Sequence, residues 1–318
     1  MMNIIVLDGH TLNPGDLDWT ALQALGNVTV YERTPEAMVA ERIATADVVL
    51  TNKAIVNAAA IEQAKQLKYI GVTATGFNVV DIAAARARHI PVTNVPAYST
   101  ASVAQLTFAL ILELCHHTGL HAASVRAGEW SSSIDFSYWK TPLTELSGST
   151  LGIVGLGQIG QAVARIALAF GMKVIANHKH PDRDAMEGVT FVDLATCFRD
   201  ADIISLHCPL NAGNKEFVQM DLLRTMKPSA FLINTSRGPL IRETDLAEAL
   251  KEGIIAGAAL DVLSAEPPSA GNPLISSPNI IITPHIAWAT QAARKRLMHT
   301  VVENLKAFQG GVPQNIIN

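Results

Sequence analysis

The sequence predicts an α/β protein made of two doubly wound, Rossmann-like parallel sheets. Three observations carry that expectation. Short β-branched runs alternate with longer Ala-rich segments along the whole chain. The runs are apolar enough to be covered on both faces, as parallel strands flanked by helices must be. The length, 318 residues, exceeds what one hydrophobic core usually serves. Hydrophobic residues make up 49% and charged residues 16%, a balance that can bury ample apolar surface and excludes general disorder. With 24 Lys and Arg against 28 Asp and Glu, the net charge of -4 offers no electrostatic footprint for nucleic acid.

In chain order, Asn3 to Leu7, Val28 to Tyr31, Val48 to Thr51, Lys68 to Val72 and Pro91 to Val95 read as strands, with helices between them. The opening Met-Met-Asn-Ile-Ile-Val-Leu lacks a basic n-region and stops at Asp8, which predicts a buried strand rather than a signal peptide. A second series follows: Leu151 to Val154, Lys173 to Asn177, Ile203 to Leu206, Phe231 to Asn234, Ala258 to Asp261 and Ile280 to Thr283. The change between the series falls in Pro96 to Ala101, before an apolar helix starting near Ser102. The helical pattern from Trp288 to Phe308 returns to the first series, so residues 1–98 plus 289–318 form one domain and 99–288 the other. Val103 to Cys115, the longest apolar run, is broken by Gln105 and Glu113 and falls short of the roughly 20 residues that span a bilayer. Cys115, Cys197 and Cys208 include no CxxC pair, which argues against disulfides and zinc and for a reducing cytoplasm.

Gly155-Leu156-Gly157-Gln158-Ile159-Gly160 is a GxGxxG that follows an apolar strand and opens a helix expected over Gln161 to Phe170. In that setting the first glycine permits a tight turn, the second lets backbone approach a pyrophosphate, and the third lets helix and strand pack closely. A glycine-rich turn that binds nothing is the alternative. An NAD site usually has an acid at the end of the next strand for the ribose 2′-hydroxyl. Here that place holds Asn177-His178-Lys179, and Asp182 lies beyond Pro181 in the next turn. His178, Lys179, His180 and Arg183 form a basic cluster suited to a 2′-phosphate, or simply a solvated basic turn. The sequence therefore admits NADP or NAD and leans to NADP.

Three more polar residues follow strands of the second series: Arg237, Asp261 and His285, the last in Thr-Pro-His. Ligands of parallel sheets bind outside the carboxyl ends of strands. Reduction of a 2-oxo acid by a nicotinamide needs a proton donor for the developing alkoxide and a cation for carbonyl and carboxylate oxygens. His285 and Arg237 meet those needs. Glu266, five residues beyond Asp261, could fix the imidazole tautomer and favour its protonated form, or be an exposed loop acid.

At these residues the chain resembles the D-2-hydroxyacid dehydrogenase family over essentially its whole length. The resemblance rests on Gly155 to Gly160, His207-Cys208-Pro209-Leu210, Asn234-Thr235-Ser236-Arg237-Gly238, Asp261 through Glu266-Pro267-Pro268, and Thr283-Pro284-His285. It implies a substrate-binding (catalytic) domain and a dinucleotide-binding domain with the cleft between them. It also implies His285 as acid/base, Glu266 as its partner and Arg237 as substrate clamp. Cofactor contacts would come from the glycine loop, His178, Lys179, Cys208, Pro209, Thr235, Ser236, Arg237, His285 and Asp261, the last meeting the nicotinamide carboxamide. Thr73-Ala74-Thr75-Gly76 resembles the family's substrate loop, with the ring of Phe77 as a departure beside it. Within the family, Tyr98 to Gln105 and Asp135 to Trp139 look most like glycerate dehydrogenases, also called hydroxypyruvate reductases. A homodimer built on the Val103 to Cys115 helix is expected, although a core helix explains the same run. No metal, membrane or nucleic acid is implied. The other class that the resemblance admits is a dinucleotide-sensing transcriptional corepressor.

Overall fold

The computed structural model describes residues 1–318. It divides into two compact units, Met1–Ser99 with Ala289–Asn318, and Thr100–Trp288. The change of unit lies inside the expected Pro96 to Ala101 segment, one residue beyond the boundary drawn at 98.

The first unit holds a five-stranded parallel sheet in the order β2-β1-β3-β4-β5. Its strands are β1 (Met2–Val6), β2 (Gly26–Val30), β3 (Val48–Thr51), β4 (Tyr69–Val72) and β5 (Val92–Thr93). β3 and β4 are buried along their whole length, which is why they read as near-continuous apolar runs. Ile5, Val49, Ile61, Ile70 and Val72 share one core. The C-terminal helix, Gln291–Gln309, belongs to this unit. It starts three residues later than the periodicity suggests, because Thr290 caps it by accepting from the Ala293 N–H. Its Phe308 ring lies 4.9 Å from the ring of buried Tyr69. Arg294, only 7% exposed, donates to both carboxylate oxygens of Asp16 at 2.6 Å and to the carbonyls of Leu12 and Ala289. A buried guanidinium requires this degree of pairing.

Loops at the carboxyl ends of three strands in this unit are tied together by two side chains. Asp8, just past β1, is buried, and its carboxylate accepts from the N–H groups of Asn52, Lys53 and Ala54 beyond β3. Asn52 Nδ2 in turn donates to the Thr73 carbonyl beyond β4.

The second unit holds seven parallel strands in the order β12-β11-β10-β9-β6-β7-β8. They are β6 (Thr150–Val154), β7 (Lys173–Asn177), β8 (Val189–Phe191), β9 (Ile203–Leu206), β10 (Phe231–Asn234), β11 (Gly257–Leu260) and β12 (Ile280–Ile282). Six were expected and β8 was not. It is a three-residue edge strand with an exposed central Thr190, so no apolar run marks it. Successive residues face opposite sides of the sheet. Ile204, Leu232 and Leu260 enter one core, while Ile203, Ile233 and Ala259 enter the other.

The helix Thr100–His116 places Ala104, Phe108, Ile111 and Leu114 in that second core. Its apolar run is thereby accounted for inside the unit. No helix is long and apolar enough to cross a membrane.

Replacing Asp8 by Ala would leave three N–H groups without their acceptor. It is expected to lower unfolding stability by about 1–3 kcal/mol, read as a shift of the urea midpoint at unchanged slope. An unchanged midpoint would show that the loop amides find water instead.

Candidate active site

Because β6, β9, β10, β11 and β12 are all parallel, the segments that follow them emerge on one edge of the sheet. The chain passes from β6 to β7 on one side and returns with β9 on the other. The crevice of such a sheet opens where the order reverses. Gly155 lies there at φ +98°, and a Cβ on it would stand 2.6 Å from the Cys208 N of the β9 segment. A Cβ on Gly160 would stand 2.2 Å from the Gly155 carbonyl oxygen, so the third glycine is required by helix-on-strand packing. A Cβ on Gly157 would meet nothing within 4 Å. The helix spans Gln158–Ala169 with Gly157 as its N-cap and no side chain capping it. It starts three residues earlier than expected, since the tight packing of Gly160 overrides glycine's poor helix propensity. Open space before an uncapped helix N-terminus, with Gln158 and Ile159 in its first turn, fits the pyrophosphate of a dinucleotide.

On the β9 side, Cys208 accepts at its carbonyl from Ser236 Oγ at 2.6 Å. Burial pushes its thiol up to about 11, so it stays protonated at neutral pH. Pro209, beside it, is exposed and accepts from Asn214 Nδ2. Desolvation pushes His207 down to about 4 while part of the residue stays accessible. Its neutral ring lies 2.9 Å from Ser205 Oγ. Thr235 Oγ1 is 3.1 Å from Thr107 Oγ1.

The end of β7 differs from the sequence expectation. The Leu156 N–H of the glycine loop donates to His178 Nδ1 at 3.0 Å, so the ring hydrogen sits on Nε2, 2.6 Å from Asp184 Oδ2. Arg183 donates from Nε and Nη2 to the same carboxylate, at 2.6 Å for the closest pair. Arg183, and after it His178, hold the Asp184 carboxyl down at about 2. Asp184, not Asp182, is therefore the acid at this strand end. Arg183 is paired rather than open to a phosphate. The sequence signal was an acid six residues past His178, across a turn that a strand-end search does not reach. Lys179 and His180 are exposed.

Asn234 closes β10 and brackets the next turn, accepting from the Ser236 N–H and donating to the Arg237 carbonyl, both at 2.9 Å. Arg237 projects from that turn, exposed, with Nη1 donating to the Ser236 carbonyl. Gly238 then packs directly on the Leu263 backbone, where a Cβ would lie 1.9 Å from the Leu263 carbonyl carbon. The Leu263 N–H donates to Glu266 Oε1 at 3.1 Å, and His285 Nδ1 donates to Glu266 Oε2 at 2.6 Å. Glu266 is thus not a loose surface acid. His285 Nε2 has no hydrogen-bond partner in the chain.

Asp261, at 0% exposure, accepts from Thr283 Oγ1 and the Ile286 N–H at Oδ1 and from the Ala287 N–H at Oδ2. Desolvation raises its pKa, against those donors that lower it. Its carboxylate pins both sides of His285, whose φ of +54° only an over-determined segment sustains.

In the first unit, Thr73 directly follows β4, and its N–H donates to the Thr51 carbonyl. Thr73 therefore offers no free N–H, unlike the expectation for the whole of residues 73–76. The segment is braced by Thr75 Oγ1 on the Val95 carbonyl, Val95 N–H on the Ala74 carbonyl, and Asn94 Nδ2 on the Thr75 carbonyl. Phe77 is exposed. Sequence reasoning missed Asp8 and Asn52, which hold this segment from 21 or more residues away.

A phosphate-binding glycine loop, a guanidinium and a carboxylate-backed imidazole on one sheet edge define a dinucleotide-dependent oxidoreductase acting on a carbonyl or hydroxyl group. The family model described as D-isomer specific 2-hydroxyacid dehydrogenase, NAD binding domain, matches residues 108–287. The chain belongs to the D-isomer specific 2-hydroxyacid dehydrogenase family. It is 47% identical to a hydroxypyruvate reductase of Blautia hydrogenotrophica over 100% of both chains. It is 42% identical to a glycerate dehydrogenase of Methylorubrum extorquens, covering 89% of each. Among solved structures, an acyclic imino acid reductase in complex with NADPH and D-Arg superposes with TM-score 0.87 at 32% identity over 100% of both chains. The Lactobacillus jensenii D-lactate dehydrogenase with NAD+ gives 0.83 at 27%, again over 100% of both. These relatives are reductases and dehydrogenases, and the corepressor alternative finds no support among them.

Glu266→Gln keeps a hydrogen-bonding group against His285 Nδ1 and removes the charge. It is expected to lower kcat/KM for 2-oxo acid reduction by the equivalent of about 1.5–3 kcal/mol, the worth of a hydrogen bond to a charged group. A change under about threefold would separate Glu266 from the reaction.

Proposed function

We propose that this enzyme reduces hydroxypyruvate or glyoxylate to the corresponding hydroxy acid and oxidises D-glycerate in reverse. The carrying observation is the His285–Glu266 pair at 2.6 Å with Nε2 left over. The nicotinamide, when bound, supplies or accepts a hydride at its C4. His285 gives the proton from Nε2 to the carbonyl oxygen as that oxygen becomes an alkoxide, and takes it back in oxidation. Glu266 holds the ring through Nδ1 and balances the imidazolium charge. Arg237 binds the carboxylate and carbonyl oxygens with the guanidinium N–H groups that its bond to Ser236 leaves over. The N–H groups of Ala74, Thr75 and Gly76, which donate to nothing in the chain, serve the substrate carboxylate. Asp261 keeps His285 in place and accepts from the nicotinamide carboxamide. The unit formed by 1–99 and 289–318 is thus the substrate-binding domain.

Both NADPH and NADH are accepted, with NADP favoured. That reading is supported by the exposed Lys179 and His180 beside the end of β7 and by Arg183, which offsets the charge of Asp184 there. We propose a homodimer. Its support is now the exposed Trp130, Ile134, Phe136 and Trp139, a set of large apolar side chains that a monomer seldom leaves in water. The three free thiols fit a reducing cytoplasm.

Arg237→Gln should lower kcat/KM for hydroxypyruvate by the equivalent of about 2–4 kcal/mol. A change under about threefold would remove Arg237 from the clamp. For assembly, light scattering should give about twice the 34.0 kDa chain mass, and Phe136→Asp with Trp139→Glu should return it to one. A unit mass for the unaltered chain would exclude the dimer.

A further inference from the structure

At the end of β7, three features meet within hydrogen-bonding distance. They are the glycine-loop amide of Leu156, the strand-end residue His178, and the Asp184–Arg183 pair from the following turn. That strand end, next to the glycine loop, is where a dinucleotide site reads the ribose 2′ position. The two members of the pair are held very differently. The Asp184 side chain is 17% exposed and fixed through His178 to the loop, whereas the Arg183 side chain is 68% exposed and bonds to nothing but Asp184. An ion pair with one solvated partner is worth little, so the guanidinium can leave while the carboxylate stays.

We propose that the Arg183–Asp184 pair reads the ribose 2′ substituent: Asp184 accepts from the 2′-hydroxyl of NAD(H), and Arg183 swings from Asp184 to the 2′-phosphate of NADP(H). The proposal rests on the nicotinamide-dinucleotide reading above and names the residues that set its cofactor choice. Several consequences follow from the charges. With Arg183 on Asp184 the pair is neutral, and a hydroxyl finds a fixed anionic acceptor. With Arg183 turned to a phosphate, Asp184 keeps its bond to His178, and the guanidinium fork meets the anion with two parallel bonds. The acid that would ordinarily repel the phosphate is present, but its charge is offset by its own neighbour. Lys179, exposed beside His178, adds a second cation whichever way Arg183 points. Asp182, exposed in the same turn, opposes it.

The test is cofactor affinity without any 2-oxo acid, read by quenching of tryptophan fluorescence as NADH or NADPH is titrated into the full-length protein. Asp184→Asn keeps the shape of the turn and removes the charge. It should weaken NADH and strengthen NADPH, raising the ratio of Kd for NADH to Kd for NADPH roughly tenfold. Arg183→Gln should lower the same ratio roughly tenfold, through NADPH alone. If the ratio moves less than threefold in either variant, the pair does not read the ribose, and Lys179 and the backbone do. If the unaltered chain binds neither nucleotide, the nicotinamide reading itself falls and takes this one with it. Binding of one nucleotide with an unmoved ratio overturns only the role of the pair.

Discussion

The constraint on which the second unit depends is that all seven of its strands run the same way. A parallel strand returns only through a crossover, so every segment leaving a carboxyl end falls on one edge. The glycine loop, the Cys208 segment, the Arg237 turn, Asp261 and the His285 segment come from five different strands, spread over 130 residues of sequence. Parallel register alone brings them to a common edge. The sheet needs both faces covered to do this, and the alternation of side chains into two cores supplies that cover.

On that edge the Arg237 turn and the carboxylates beside His285 are tied to backbone groups. Gly238 lets the Arg237 turn lie against Leu263, and Leu263 donates to the acid that holds His285. The buried Asp261 fixes the same histidine from the other direction by accepting from both sides of its turn. A desolvated carboxylate is costly, and three donors from the histidine segment offset that cost while locking a left-handed residue. Removing that carboxylate would free the histidine as well as unpair the donors.

The dinucleotide edge works by the same economy of contacts. His178 joins a strand end to a loop amide with one nitrogen and to an acid with the other, so the tautomer is dictated by a backbone N–H that can only donate. The adjoining basic turn is consequently less basic than its composition, since Asp184 neutralises Arg183. In the first unit Asp8 plays a comparable part, collecting three amides beyond β3 beside the Thr73 segment.

By itself the sequence determined the fold class, eleven of the twelve strands and the change of unit near residue 99, and it singled out Arg237, Glu266 and His285, of which the structure pairs the last two. Those features are written in local signals: apolar runs of strand length, glycines at fixed offsets, and polar residues placed directly after strands. The short edge strand Val189–Phe191 had no such signal, because an edge with one solvated face needs no apolar run. Only the tertiary structure decided that the apolar helix after residue 100 is core, since an apolar run records that burial occurs and not against what. Only the structure, too, decided which acid stands at the end of β7. Asp182 and Asp184 lie two residues apart in one turn, and the folding of that turn back onto His178 selects the second. Partnerships between distant residues, Asp8 with the 52–54 amides and Asp261 with the His285 segment, depend on strand order and register. Spacing along the chain does not encode them.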